Sequence, residues 1–450
     1  MSASPAASLT EQLATLIEQK PISENDLRHA AFFVLDAVAN AVAGQNSPAG
    51  KILRSWWHEN QSGNTLVADV GTQAFLMGAL THILETDDLH RASVVHPGCV
   101  VVPAAWALAR HKGTDGRAFL ISVLKGFEAT TRVGMAVGPA HYRIWHNTAT
   151  CGGFGSAMAA CELLGLSHAQ TIDALGNAGS QAAGVWQFLE TGAMTKHMHA
   201  GRAAEAGVRA AELAAVGFTG APHILEGEKG FFKAACPDAQ PELVVADPDQ
   251  PWQLVQTSIK PWPSCRHTHP SIDAAGEIRA QLLAEGINPA EQIASVSLGT
   301  YQAALDVCTR PDPQTDYEAK FSLHHTAAAA LLSDNVDFNA FGPQARANFN
   351  ALRSNVSVAL QEPYASAYPK SWGGSVSVTL KEGRTLTTTR THAKGDPEAA
   401  LSEEDLIEKA EMLFAHAAQD TSLSLPTGLT QEIISLVTSG KPLPDLKLGS

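Results

Sequence analysis

The sequence predicts a mainly α-helical protein with a second, smaller α+β domain, and three observations carry that expectation. From Leu9 to about Gly217, apolar residues recur at spacings of three and four with alanine as the dominant filler, the period of amphipathic helices. After Pro263 several stretches alternate with period two, the pattern of half-buried strands. From Ser402 the helical period returns in E-E-D-L-I-E-K-A-E-M-L-F. A chain of 450 residues also exceeds what one hydrophobic core usually organises. The expected arrangement is a large helical domain formed by residues 1–262 and 398–450, with residues 263–397 inserted as the α+β domain.

Within the first region the spacing predicts a helix over Asn25–Val42, stopped by Gly44. Further helices are expected over Thr72–Leu84, Val101–His111, Gly116–Val137, Gly155–Leu164, Ser167–Val185 and Ala200–Val216. Small residues such as Gly153, Gly155 and Ala159 would let these helices approach closely. In the second region one helix is expected over Ser271–Glu285, with strands over Ile293–Tyr301, Asn355–Leu360 and Ser375–Leu380. The last of these meets T-L-T-T-T-R-T across K-E-G-R, which predicts a hairpin.

Composition narrows the function classes. With 31 basic against 45 acidic residues the net charge is −14, which repels a phosphate backbone or an anionic membrane surface, so neither nucleic acid nor membrane is an expected partner. The cysteines Cys99, Cys151, Cys161, Cys236, Cys265 and Cys308 are scattered without a C-x-x-C pair, so no metal site is expected. No basic leader with an apolar run opens the chain, and no stretch reads as membrane-spanning; the expected compartment is the cytoplasm.

Four polar stretches stand out against the alanine-rich background. The first, E-T-D-D-L-H-R-A-S-V-V-H-P, sets Glu85, Asp87, Asp88, His90, Arg91, Ser93 and His96 between two apolar helices, where polar density is costly unless it serves a site or a hydrogen-bond network. The plainer alternative is that Asp87 and Asp88 cap the next turn and His90 is solvated. The second, H-Y-R-I-W-H-N-T-A-T-C-G-G-F-G, places Tyr142 and His146 before a small-residue helix whose first amides suit a carboxylate. Its glycines equally suit close helix packing.

The third stretch, T-K-H-M-H-A-G-R, brings Lys196, His197, His199 and Arg202 to a helix start, where cations are unfavourable unless they face an anion. A surface lysine is the plain alternative for Lys196. The fourth, S-I-K-P-W-P-S-C-R-H-T-H-P, puts Lys260, Cys265, Arg266, His267 and His269 on the expected domain boundary, where ligand clefts are common. Cys265 has no acyl-transfer partners by spacing and is read as a pocket wall.

Taken in order, D-D-L-H-R-A-S-V-V-H-P-G, W-H-N-T-A-T-C-G-G-F-G, K-H-M-H-A-G-R-A-A, K-P-W-P-S-C-R-H-T-H-P and K-F-S-L-H-H-T-A-A-A-A-L-L resemble the MmgE/PrpD family of 2-methylcitrate dehydratases, cis-aconitate decarboxylases and iminodisuccinate epimerases. The resemblance covers nearly the whole chain. It implies a helical domain with an inserted α+β lid, a homodimer, a cleft for di- or tricarboxylates, and chemistry without metal or organic cofactor. It also implies that His96, His146, Lys196, His199, Lys260 and His269 occupy the family's polar active-site positions.

Departures from the family pattern bear on the reaction. Where relatives commonly read D-F-D-D-T-H this chain reads E-T-D-D-L-H, with Glu85 at an aspartate and Leu89 at a threonine, and His325 stands where a tyrosine is common. The shared chemistry is proton movement at a carbon next to a carboxylate, which needs a tuned acid or base and cations that stabilise enolate-like charge. The leading expectation is a cofactor-independent epimerase of an amino-polycarboxylate such as iminodisuccinate, with Tyr142, Lys196, His96 and His269 as proton-transfer groups. Asp87, Asp88, His90, His146, His199, Arg202, Lys260, Arg266 and His325 are the expected substrate contacts. The alternatives are a 2-methylcitrate-type dehydratase, with His96 or His90 as acid, a cis-aconitate-type decarboxylase, and a carboxylate-binding homologue without activity.

Overall fold

In the computed structural model the described residues are 7–62, 69–423 and 427–449. They divide into two compact units, the first formed by Met1–Ile259 with Ser402–Ser450 and the second by Lys260–Leu401.

The first unit is helical because its sequence supplies both stripes and stops. Helices α1 (Leu9–Gln19), α2 (Glu24–Gly44), α3 (Pro48–Ser62), α4 (Val70–Thr81), α5 (Gly98–Lys112) and α6 (Gly116–Ala136) follow one another. Helices α7 (Pro139–Tyr142), α8 (Asn147–Leu164), α9 (His168–Gly179) and α10 (Thr195–Ala215) complete the run. Their starts are chemically marked: the Ser23 and Asp26 side chains cap α2 reciprocally, Asp69 accepts from Thr72 N at α4, and Asp115 accepts from Ala118 N at α6. Leu13, Ile17, Val133, Phe154, Leu175, Leu225 and Phe231 belong to one buried cluster in this unit.

Two boundaries differ from the sequence reading in a way that matters for the site. Helix α8 begins at Asn147 and not near Gly155, so its glycines lie inside the helix, where a Cβ on Gly155 would sit 2.7 Å from the Gly126 carbonyl oxygen of α6. Close packing, not anion binding, is what those glycines permit. Helix α4 ends at Thr81, leaving His82–Pro97 as the irregular connection to α5.

The second unit holds α11 (His269–Ala284), α12 (Leu323–Leu332) and a sheet of β1 (Ile293–Thr300), β2 (Val356–Leu360), β3 (Gly374–Leu380) and β4 (Thr385–Arg390). The order is β2-β1-β3-β4, with β1 and β2 parallel and the remaining pairs antiparallel. The expected hairpin is present, with Thr379 opposite Thr385 and Val378 opposite Leu386. Buried Val296 and Leu298 flank exposed Ser297, buried Val376 and Val378 flank half-exposed Ser377, and α11 packs on β3 and β4. After this unit the chain re-enters the first through α13 (Glu403–Ala417), whose Ser402 and Asp405 side chains form a second reciprocal cap. The mainly α fold with a smaller α+β part is the architecture the periodicities predict.

Candidate active site

The His82–Pro97 connection is held open by unusual backbone. Glu85 (φ 62°) and Val94 (φ 51°) both adopt the left-handed region that L side chains avoid, which persists only where the surroundings over-determine it. Around Val94 the tie is a tight turn, with His90 N donating to Val95 O at 2.8 Å. Leu89 and Ser258 exchange two backbone hydrogen bonds of 2.8 Å, which fastens the middle of the connection. Around Glu85 the tie is ionic: its carboxylate accepts from the Lys196 ammonium on the first turn of α10, and both side chains are buried. The anion that a lysine at a helix start requires is thus supplied by this chain's own Glu85.

Next to that pair lies a cluster of imidazoles around one carboxylate. Asp87 Oδ2 sits 2.6 Å from His82 Nδ1 and 3.2 Å from His96 Nδ1. Burial alone would push the Asp87 carboxyl up, but the two imidazoles outweigh it and hold it well below the usual range. His82 Nε2 is buried without a hydrogen-bond partner among the described residues. The ring of His82 meets His96 edge-on at 4.7 Å and stacks on His146 at 5.6 Å. The donor atoms of His82, Asp87 and His96 lie within 4.8 Å of one another, a grouping with ligand capacity. The 2.6 Å contact is a hydrogen-bond length, since two ligands on one zinc-sized ion stand about 3.3 Å apart.

His146 Nδ1 and His199 Nδ1 face each other at 3.2 Å, so one nitrogen donates and the other accepts. Burial first, then His82 and Lys196, drives both rings toward the neutral form, His199 to about 4 and His146 well below its ordinary value. His197 is held at about 4 for the same reasons. Trp186 lies 4.6 Å from His146 and 5.5 Å from Tyr142, and Phe188 lies 5.5 Å from His199, giving this side of the cluster an aromatic wall. That wall depends on Gly184 (φ 127°), where a Cβ would come within 2.5 Å of Ala149 Cβ. Asn147 Nδ2 donates to Ser93 O at 2.8 Å and His96 N to Thr148 Oγ1 at 3.1 Å, so the start of α8 is locked onto the His82–Pro97 connection.

Five of the expected site residues therefore come together in the first unit: Asp87, His96, His146, Lys196 and His199. Tyr142 is exposed and joins them through its ring contact with Trp186. His82, Glu85, His197 and Trp186 belong to the same cluster although they were not among the expected contacts. A histidine five residues before the first Asp of D-D was the available signal for His82.

The remaining expected residues are engaged elsewhere in the fold. Asp88 accepts from Gly98 N with both oxygens at 3.0 Å, capping α5, and burial raises its carboxyl well above the usual range. His90 is buried, not solvated, with Nδ1 on Ser93 Oγ at 2.8 Å and Nε2 on Gln253 Oε1 at 3.0 Å, and burial holds it near 4. Both ring nitrogens serve the connection itself. Arg202 is exposed and pairs with Glu205 one turn along α10.

In the second unit Arg266 is buried against Asp396 and donates to the carbonyls of Lys394 and Ala393 at 3.1 and 3.4 Å. Arg266 also donates to His269 Nδ1 at 2.8 Å, which leaves His269 Nε2 to donate to Ser264 O at 3.1 Å. Both ring nitrogens of His269 are thus engaged within this unit. His325 donates to Ala340 O at 2.8 Å and packs against Phe341 and Phe349, so it too is an interior group of this unit. Lys260 is buried, and its charge adds to burial in holding His267 near 4.

The MmgE/PrpD N-terminal domain model matches residues 11–244, and the MmgE/PrpD C-terminal domain model matches residues 262–423. The chain belongs to the MmgE/PrpD family. Among its relatives, the human protein named cis-aconitate decarboxylase is 30% identical over 352 residues, 75% of this chain and 71% of the relative. The mouse protein of that name is 29% identical over 353 residues, 75% of this chain and 70% of the relative. An Aspergillus terreus cis-aconitate decarboxylase is 26% identical over 281 residues, 58% of this chain and 57% of the relative. In this MmgE/PrpD chain no helix among the described residues is long and apolar enough to cross a membrane.

Proposed function

We propose that this protein is a lyase that decarboxylates a small unsaturated polycarboxylate of the cis-aconitate type. The observation that carries the reading is the Lys196–Glu85 pair and Asp87–His96 contact in one buried cluster, in a chain 30% identical to a cis-aconitate decarboxylase. In such a reaction the bond from carbon to one carboxylate breaks, carbon dioxide leaves, and the electron pair remains on carbon until a proton reaches it. Lys196 supports the developing negative charge from a water-poor site. His96, half-buried and oriented by Asp87, delivers the proton and regains one from solvent. The neutral His146–His199 pair and the Trp186 face orient the substrate.

Epimerisation of an amino-polycarboxylate, the leading expectation from sequence, needs a base on each face of the carbon. Lys196 is a cation engaged by Glu85 and His269 is locked at both nitrogens, so two of its four candidate groups are unsuited to that work. Dehydration loses His90 as an acid for the same reason, although His96 remains. The test is incubation in deuterated water with cis-aconitate, 2-methylcitrate and each enantiomer of iminodisuccinate in turn. Carbon dioxide release from cis-aconitate with one deuterium in the product is the expected result. Inversion of iminodisuccinate or a new alkene from 2-methylcitrate, with cis-aconitate untouched, would overturn the proposal, and silence with all of them would point to a binding protein.

A further inference from the structure

The cluster is gripped from a second side by a residue far away in sequence. Lys409, on α13, donates its ammonium hydrogens to a carboxylate oxygen of Asp36 on α2 and, at 2.7 Å, to the carbonyl of Thr86. The Thr86 hydroxyl donates to Asn40 Oδ1, one turn along α2 from Asp36, and Asn40 Nδ2 donates back to Asp36 O at 2.9 Å. The Lys409 and Asp36 side chains are 5% and 4% exposed. A buried ion pair is a poor stability device, because an apolar pair of similar volume does as well or better. Its other hydrogen bond suggests what the lysine is for.

The Thr86 carbonyl belongs to the peptide plane that carries the Asp87 amide, so holding that oxygen fixes the plane from which Asp87 departs and narrows the directions open to its side chain. On the other side of Thr86 stands Glu85 in its left-handed conformation, bonded to Lys196. Two buried ammonium groups thus hold three consecutive residues, one through a side chain and one through the backbone. We propose that Lys409 is a positioning residue: it acts through Thr86 to keep Glu85 and Asp87 in register with Lys196, His82 and His96. The returning C-terminal segment contributes to the site in this way without touching substrate, and the catalytic part of the inference rests on the proposed function.

The experiment compares wild type, Lys409→Met and the double variant Asp36→Asn with Lys409→Met. Four quantities are read: melting temperature, hydrogen exchange of the amides of residues 84–90, and kcat and KM with cis-aconitate. Lys409→Met alone leaves the Asp36 carboxylate buried without its lysine and lowers the melting temperature. The double variant removes that charge and is expected to recover the melting temperature while exchange over 84–90 stays fast, because Thr86 still lacks its donor. Its kcat is expected to fall on the order of a hundredfold. KM should stay within about threefold of wild type, the split that marks lost geometry and not lost binding. Wild-type exchange and kcat in the double variant would overturn the inference and leave Lys409 a mere counter-charge. If wild type does not turn over cis-aconitate, the proposed function fails while the exchange comparison still decides whether Lys409 holds the loop.

Discussion

The Glu85–Pro97 stretch of the first unit and the Lys260–Pro270 stretch of the second each carry an arginine and two histidines and end on a His-Pro step, yet they use their polar groups differently. In the second stretch Arg266 is matched by Asp396 and two carbonyls, His269 by Arg266 and Ser264, and His267 by the Tyr301 hydroxyl at 2.7 Å. In the first, groups of one kind are pressed together, four imidazoles and an ammonium around two carboxylates, with His82 Nε2 buried and unmatched among the described residues. A satisfied network stabilises a fold, whereas a crowded one holds titratable groups ready for a ligand. Density of chemistry-bearing residues does not separate the two cases; their pairing does.

The comparison can be broken most sharply at Lys196. Lys196→Met should lower kcat/KM for cis-aconitate by about a thousandfold, the scale of losing one preorganised charge at the reacting centre. Steady-state kinetics beside a thermal melt checks it, and unchanged turnover in a folded variant defeats the catalytic role. Arg266→Met is the opposite case: leaving the Asp396 carboxylate buried without its arginine should cost about 3 kcal/mol of stability, read by denaturant unfolding. A loss of activity with full stability there would mean that the second stretch had been misjudged.

Acid should test both units together. His197 and His199 in the first unit and His267 and His325 in the second are held near 4, chiefly by burial, against about 6.5 in an unfolded chain. Between those values the unfolded chain binds protons that the folded chain refuses. Their contribution to stability is therefore complete above pH 6.5 and is lost as pH falls toward 4. Melting temperature measured across that window should fall steadily; a flat profile would mean that these rings are hydrated. The smallest effect is expected at Arg202→Ala, since an exposed pair with Glu205 contributes under about 1 kcal/mol and should leave kinetics unchanged. A rise in KM with that variant would return Arg202 to the substrate contacts.

Much of this was legible in advance, and the failures have physical causes. Helical and strand periods, and the K-E-G-R hairpin, are local properties of the chain and were readable as such. Lys196 drew attention because a cation at a helix start needs an anion, though which anion could not be seen. His82 escaped notice as one polar residue at the end of an apolar helix, and Trp186 as one aromatic in a loop. His90, His269 and His325 have partners that no spacing reveals: a hydroxyl, an amide, an arginine and backbone carbonyls.

By itself the sequence determined the helical frame, the inserted strands, the polar stretches and the family, since each rests on periodicity or on residues near one another in the chain. Only the tertiary structure decided that Glu85 answers Lys196 from 111 positions away and that Lys409 reaches Thr86 across 323. Those pairings depend on which helix faces pack together, and burial then sets which groups stay charged.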